Sequence, residues 1–91
     1  FAAGYAACFS NAILHVAKLA RVPLKEAPVT ATIGIGANAS GGFALSAALQ
    51  VTLKGLPGDQ AERLVQTAHQ VCPYSNAVRN NIEVRIDVIA D

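Results

Sequence analysis

The chain has 91 residues, of which 53% are hydrophobic and 14% are charged. This balance is too apolar for a disordered segment, and we expect one compact domain over residues 1–91 whose small size favours association with a partner subunit. The net charge is +1 and the basic residues are scattered without a run, which argues against a nucleic acid partner.

The first predicted element is a long helix from Ala2 to Arg21. Its residues are helix-forming and apolar nearly all round, which is typical of a central helix buried on most sides or placed in a subunit interface. Pro23 prevents its continuation. Polar residues from Ser10 onward interrupt the apolar run well before the ~20 residues that a membrane span requires, and we expect neither an anchor nor a signal peptide.

Two strands follow and predict a long β-hairpin. Apolar residues alternate with small or polar ones from Val29 to Ala37, with the period of two that is typical of a strand. The segment Asn38 to Gly42 is a cluster of turn residues, and the alternation resumes from Phe43 to Leu53.

A second helix is predicted after the break at Gly55 to Gly58. Asp59 and Glu62 match the spacing of a capping box at its start. An apolar stripe at helical spacing indicates that one face packs on the sheet. This stripe consists of Ala61, Leu64, Val65, Ala68 and Cys72.

The chain closes with a short helical turn and a strand. Pro73 ends the second helix, Ser75 to Val78 favours a helical turn, and Ile82 to Val88 alternates again as a strand. The element order αββα(α)β predicts an α+β fold with a long central helix and a largely antiparallel sheet, covered on one face by helices.

The two cysteines carry the strongest chemical signal. Free cysteine often serves as a small buried hydrophobe, so composition alone leaves a packing role open for Cys8. Cys72 precedes Pro73, which suits the first position of a helix, and a thiol capping that helix would meet N–H groups that stabilise a thiolate. Because Cys72 also lies on the buried stripe, we expect it to face the central helix within disulfide reach of Cys8, which permits an oxidise-and-resolve cycle.

A zinc site receives less support from the spacing. Cys8, His15, His69 and Cys72 would form the ligand set, but His15 lies seven residues from Cys8. That separation is about 10 Å along a helix, too far for one metal or for His15 to activate the Cys8 thiol. We expect His15 to be a packed or interface residue and His69 to be a helix-face residue.

Other familiar chemistries are also poorly supported. The Gly-X-Gly at Gly34 to Gly36 leads into another strand, whereas a dinucleotide loop leads into a helix and ends in a third glycine. The serines have no histidine placed for a triad. We expect the aromatic residues to be core or pocket walls: Phe1, Tyr5, Phe9, Phe43 and Tyr74.

Two segments around the cysteines carry a family resemblance. They are Phe-Ala-Ala-Gly-Tyr-Ala-Ala-Cys-Phe-Ser-Asn-Ala from Phe1 to Ala12 and Val-Cys-Pro-Tyr-Ser-Asn-Ala-Val-Arg from Val71 to Arg79. They resemble the cysteine motifs of organic hydroperoxide resistance proteins, the Ohr branch of the Ohr/OsmC family, and the strand around Phe43 is similar as well. The resemblance spans the whole chain. Asn80 stands where the family more often has glycine, but asparagine tolerates the positive φ of such a turn.

The resemblance implies an OsmC-like fold and a thiol peroxidase that defends against oxidative stress. Cys8 would attack the O–O bond of an organic hydroperoxide, release an alcohol and become a sulfenic acid. Cys72 would resolve this acid to a disulfide, because an unresolved sulfenic acid can over-oxidise irreversibly. No cofactor is implied beyond the cysteines, and the reductant would be dihydrolipoyl groups on a lipoylated partner protein.

The resemblance also implies a cytoplasmic homodimer that is not bound to a membrane or to nucleic acid. Relatives carry an arginine in their N-terminal strands and a glutamate just ahead of the segment matching Phe1, and both act on the reactive thiolate. This chain contains neither position, so we expect it to be the C-terminal two-thirds of the family domain. We do not assign their roles to Arg79 and Glu83, which we expect to be a surface pair or turn residues.

Two alternatives to the peroxidase stay open on the sequence. One is a non-enzymatic dimeric binding module of the same fold, with Cys8 and Cys72 as packing residues. The other is the metal-binding protein considered above.

Overall fold

Three helices and three strands make up residues 1–90, the part of the chain that the computed structural model describes. The elements are α1 (Ala2–Leu19), β1 (Val29–Ala37), β2 (Phe43–Leu53), α2 (Gly58–Val71), α3 (Pro73–Val78) and β3 (Glu83–Ala90). The predicted fold class and element order are confirmed. The bounds of both hairpin strands also agree with the prediction.

The sheet has the spatial order β1-β2-β3 within the described residues. β1 and β2 pair antiparallel, with Val29 opposite Val51. β3 pairs with β2 in parallel, with Ser46 opposite Glu83. The prediction of a largely antiparallel sheet is therefore wrong for β3: α2 and α3 form a crossover that returns the chain to the starting end of β2, as a parallel pair requires.

The core lies between the sheet and the two longer helices. α1 and α2 contact each other, and their buried faces form one hydrophobic core with the buried face of β2. The predicted stripe of α2 is buried as expected. The buried side chains of α1 and β2 are Tyr5, Phe9, Ala12, Ile13, Val16, Ala17, Ala47, Leu49, Val51 and Leu53.

One face of α1 is left uncovered. Ala3, Ala7, Asn11 and His15, four residues apart, are exposed. Burial on most sides is therefore not achieved within the single chain. None of the helices in residues 1–90 has both the length and the hydrophobicity needed to cross a membrane.

α1 ends two residues before the predicted position. Arg21 adopts a left-handed φ of 59°, and the Val22 N–H donates to the carbonyl oxygen of Ala17 at 2.8 Å. Such a residue reverses the chain direction at a helix C-terminus, so Arg21 belongs to the turn.

The predicted capping box of α2 is wrong. α2 begins at Gly58 with Pro57 in the N-cap position, and no side chain caps this end in the described structure. Asp59 therefore lies inside the first turn, where its carboxylate interacts with the positive end of the helix dipole.

Candidate redox site

The two cysteine sulfurs lie 3.4 Å apart. Cys8 is on the second turn of α1 and is half-buried, whereas Cys72 is fully buried at the junction of α2 and α3. Both are free thiols, and the Cys72 S–H donates to the Cys8 sulfur. The predicted approach of these residues is confirmed. A disulfide requires a sulfur separation of about 2.05 Å, so a small shift of either side chain would join them.

The α2–α3 junction positions Cys72. Its N–H still donates to the carbonyl oxygen of Ala68 at 2.8 Å, while its extended backbone makes it the N-cap residue of α3. Pro73 follows as the first residue of α3, because proline has no N–H to lose there and its fixed φ suits a helix start. The predicted N-cap position of Cys72 is thus confirmed.

The first turn of α3 acts on the Cys8 thiol. The Cys72 side chain forms no capping hydrogen bond in the described structure, whereas the Tyr74 backbone N–H acts to lower the pKa of Cys8. That N–H favours the Cys8 thiolate.

The Cys8 thiol nevertheless resists ionisation. Burial raises the pKa of Cys8 above its ordinary range, and the Tyr74 N–H opposes this only in part. An ionised Cys72 would raise the pKa of Cys8 further, because two thiolates in contact repel each other. Cys8 is therefore largely protonated at neutral pH.

A line of hydrogen-bonded side chains adjoins the cysteines. The Tyr5 hydroxyl and the Ser75 Oγ are 2.7 Å apart, and the same Oγ is 2.8 Å from Nδ1 of His69. Tyr5 and Ser75 are fully buried. Burial raises the pKa of Tyr5, opposed by the hydrogen bond with Ser75, and burial together with Arg79 lowers the pKa of His69. We refer to these residues as the Tyr5–Ser75–His69 chain.

The sequence prediction missed this chain. His69 was expected only on a helix face, yet its ring also lies 6.3 Å from that of Phe9. His69 and Ser75 are six residues apart, a spacing that does not align on one helix. The turn at Cys72 and Pro73 brings them together, so the only signal available was the proline itself.

Arg79 forms hydrogen bonds next to the Tyr5–Ser75–His69 chain. Its guanidinium donates to the carbonyl oxygen of His69 and to Oδ1 of Asn76. A cation suits the C-terminal end of α2, where carbonyl groups lack partners. The expected surface pair with Glu83 is wrong, whereas Arg79 does lie in a turn. Among residues 1–90 the one ion pair joins Arg85 and Asp87 at 4.0 Å.

Aromatic rings form an apolar rim at the N-terminal end of α1. The ring centroid of Tyr74 lies 5.8 Å from Phe1 and 5.7 Å from Tyr5. Phe1 and Tyr74 are partly exposed, so they form a wall that a ligand could contact. Phe43 does not belong to this wall or to the core, because it lies beside the hairpin turn and is 76% exposed.

The histidines are not arranged around a metal. His15 is exposed on α1, and Nδ1 of His69 is bonded to Ser75. Within residues 1–90, no three His, Cys, Asp or Glu side chains gather closely enough to hold a metal ion. The positive φ of 65° at Asn80 agrees with the prediction for that turn.

The fold and the site together define an α+β domain with two thiols in contact across a helix pair. The model of the OsmC-like protein family matches residues 1–87, and this chain belongs to that family. The resemblance seen in the cysteine motifs is thereby confirmed.

Named relatives support the same assignment. The chain is 45% identical to the organic hydroperoxide resistance protein OhrA of Bacillus subtilis, over 97% of this chain and 62% of that protein. A crystal structure of a putative organic hydroperoxide resistance protein from Vibrio cholerae, with captopril bound in one of the active sites, is 68% identical with a TM-score of 0.93. The match covers 97% of this chain and 60% of that chain.

A second solved structure has nearly the same fold. It is an organic hydroperoxide resistance protein from Elizabethkingia anophelis with thiocyanate bound, 47% identical with a TM-score of 0.96. The match covers 100% of this chain and 65% of that chain. The present chain thus spans less than two thirds of the length of these relatives.

Proposed function

We propose that this chain carries the paired thiols of a peroxidase that reduces organic hydroperoxides to alcohols. The 3.4 Å contact between the Cys8 and Cys72 sulfurs is the observation that supports this function best. Relatives named for organic hydroperoxide resistance give the substrate class. The Cys residues act without a cofactor in this proposal.

In the first step the Cys8 thiolate attacks the hydroperoxide. The O–O bond breaks, a sulfur–oxygen bond forms, and the alcohol leaves with a proton, so that Cys8 becomes a sulfenic acid. The Cys72 sulfur then attacks the Cys8 sulfur, a disulfide forms and water leaves. Two thiols thus supply the two electrons that reduce the hydroperoxide, and an external dithiol restores them.

The unequal exposure of the two thiols supports this division of roles. Cys8 is half-buried and can meet a small molecule, whereas Cys72 is fully buried and meets Cys8. The apolar rim of Phe1 and Tyr74 favours a bulky apolar hydroperoxide, such as one derived from a fatty acid, because it offers apolar contact area that hydrogen peroxide cannot use.

Activation of Cys8 requires more than this chain supplies. Burial keeps the pKa of the Cys8 thiol high, and the thiolate is the reacting species. The family resemblance implies that an arginine and a glutamate activate the corresponding thiol in relatives, where both precede the segment matching Phe1. We therefore expect slow oxidation in the 91-residue chain and faster turnover where those groups are present.

The proposal includes partners and a location. We propose a cytoplasmic homodimer whose disulfide is reduced by dihydrolipoyl groups on a lipoylated protein. Exposed apolar side chains, among them Ile35 and Phe43, support association of two copies. The reductant and the location come from the family resemblance alone.

Trapping of the sulfenic acid tests the division of roles. In Cys72→Ser, treatment with tert-butyl hydroperoxide and dimedone should give one adduct on Cys8, because no resolving thiol competes. Cys8→Ser should give none, since Cys72 is buried. Absence of an adduct in both variants would support the binding module with packed cysteines, and an adduct on Cys72 alone would reverse the roles.

A further inference from the structure

We propose that Ser75 and His69 are positioning residues that hold α3 in the orientation in which Cys72 reaches Cys8, an inference that rests on the proposed thiol chemistry of this pair. Ser75 lies three residues after Cys72, and its hydroxyl is bonded to one side chain on α1 and one on α2. A single buried oxygen therefore joins all three helices beside the cysteines.

The short length of α3 makes this connection necessary. α3 has six residues, and a helix of this length has little stability of its own. Its orientation must come from tertiary contacts. Ser75 is its one buried residue, and the partners of Ser75 stand three residues before each cysteine, Tyr5 before Cys8 and His69 before Cys72. Displacement of Ser75 would thus move Cys72 relative to Cys8.

Only one arrangement of donors and acceptors gives each hydroxyl proton of the Tyr5–Ser75–His69 chain an acceptor. Tyr5 and Ser75 are fully buried, and every buried side-chain nitrogen and oxygen in residues 1–90 has a partner. Both hydroxyl donors are satisfied when the Tyr5 hydroxyl donates to Ser75 and Ser75 donates to Nδ1 of a neutral His69. A protonated Nδ1 would also donate to the Ser75 hydroxyl. One of the two buried hydroxyl protons would then have no acceptor, and an unsatisfied buried donor costs free energy.

The surrounding charges favour the neutral histidine. The other titratable groups beside the Tyr5–Ser75–His69 chain are Cys8 on α1, Cys72 and Tyr74 at the start of α3, and Arg79 just after α3. Burial and the positive charge of Arg79 hold the pKa of His69 below 6.5. All the hydrogen bonds of the Tyr5–Ser75–His69 chain are therefore present above pH 6.5. They are lost as the pH falls through the lowered pKa of His69.

Reaction with a dipyridyl disulfide measures the resolving step without a hydroperoxide. The Cys8 thiol first displaces one pyridinethiol and forms a mixed disulfide, at a rate that depends on reagent concentration. The Cys72 thiol then attacks the Cys8 sulfur, displaces the second pyridinethiol and forms the Cys8–Cys72 disulfide, at a rate that does not. Each protein thiol gives up one proton, and the reagent takes two electrons. The absorbance of released pyridinethiol reports both phases.

Removal of the central hydroxyl should slow the second phase far more than the first. For Ser75→Ala we expect a decrease of about tenfold, as follows from loss of roughly 1.4 kcal/mol of hydrogen bonding, and a first phase within about twofold of wild type. His69→Leu should behave similarly. His69→Asn should restore most of the rate, because its amide oxygen can accept where Nδ1 does. Ser40→Ala and His15→Leu, exposed residues of matching type, serve as controls.

The pH dependence separates positioning from a loosened fold. The ratio of second-phase rates in wild type and Ser75→Ala cancels every effect of pH that the two proteins share. We expect this ratio to be constant above pH 6.5 and to fall toward one below it. An unchanged second phase in Ser75→Ala, or equal changes in both phases, would overturn the proposal.

A second variant and the choice of a disulfide probe make the test independent of folding defects and of hydroperoxide activity. If Ser75→Ala does not fold, Tyr5→Phe removes the adjoining hydroxyl while keeping the buried ring, and its second phase should slow by a few fold; an unchanged rate there would count against the proposal. Because the probe is a disulfide, inactivity toward hydroperoxides would refute the proposed function without affecting this result.

Discussion

At the scale of single residues, the two thiols differ in exposure more than in sequence context. Both have mainly apolar neighbours in the sequence, yet one is half-buried and the other has no exposed surface. Their approach could be predicted because Cys72 lies on an apolar stripe and precedes a proline. The Tyr5–Ser75–His69 chain could not, since it depends on how the backbone turns at Cys72.

This difference predicts the order and pH dependence of alkylation. Iodoacetamide should label Cys8 before Cys72, and at neutral pH more slowly than it labels the same chain unfolded in urea. Burial raises the pKa of Cys8 above its ordinary value near 9.0, so the rate in the folded chain should still rise beyond that pH. Peptide mapping by mass spectrometry gives both rates. Prior labelling of Cys72, or a plateau at neutral pH, would show that the site is activated differently.

At the scale of helices and strands, local patterns predicted the hairpin and the distribution of apolar residues. The period-two alternation and the turn cluster at Asn38 to Gly42 are short-range signals. The parallel pairing of β3 is not, because it depends on where α2 and α3 return the chain. The start of α2 was also misjudged, since Pro57 replaces a polar capping side chain.

The contact between α1 and α3 gives a test at this scale. A Cβ added at Gly4 would lie 2.6 Å from the Tyr74 hydroxyl and 3.1 Å from its ring carbon Cζ. Gly4→Ala should therefore not raise the free energy of unfolding in the wild-type background, although alanine favours a helix over glycine by up to about 1 kcal/mol. In a Tyr74→Ala background the same change should stabilise the chain by roughly that amount, as measured by urea unfolding.

Gly58→Ala is the matched control for this cycle. Nothing lies within 4 Å of a Cβ added at Gly58. Its effect should be the same with and without Tyr74. Equal effects of Gly4→Ala in both backgrounds would mean that Tyr74 moves aside freely, and that the α1–α3 contact does not fix its ring.

At the scale of the whole molecule, the chain is elongated. Its principal extents are 47 × 21 × 21 Å and its radius of gyration is 13.8 Å, against about 12 Å for a compact domain of this length. The hairpin exposes Ile35 and Phe43, 73% and 76% accessible, and α1 leaves one face uncovered. Apolar exposure of this kind is typical of surfaces that take part in protein association.

We predict that the hairpin takes part in the proposed homodimer. Phe43→Asp should shift the chain from dimer to monomer in sedimentation equilibrium, because a charge in an apolar interface lacks a partner. Gln66→Asp, on the exposed side of α2, should leave the dimer intact. A wild-type chain that sediments as a monomer at high concentration would refute the dimer for these 91 residues.

The central claim is that an organic hydroperoxide oxidises Cys8 and Cys72 to one disulfide. Intact mass and thiol counting after one equivalent of tert-butyl hydroperoxide test it most directly. We predict loss of two hydrogens and of both thiols, with Cys8 and Cys72 recovered in one linked peptide pair after proteolysis. Two unreacted thiols after prolonged incubation, or oxygen addition to Cys8 with Cys72 still reduced, would contradict the claim.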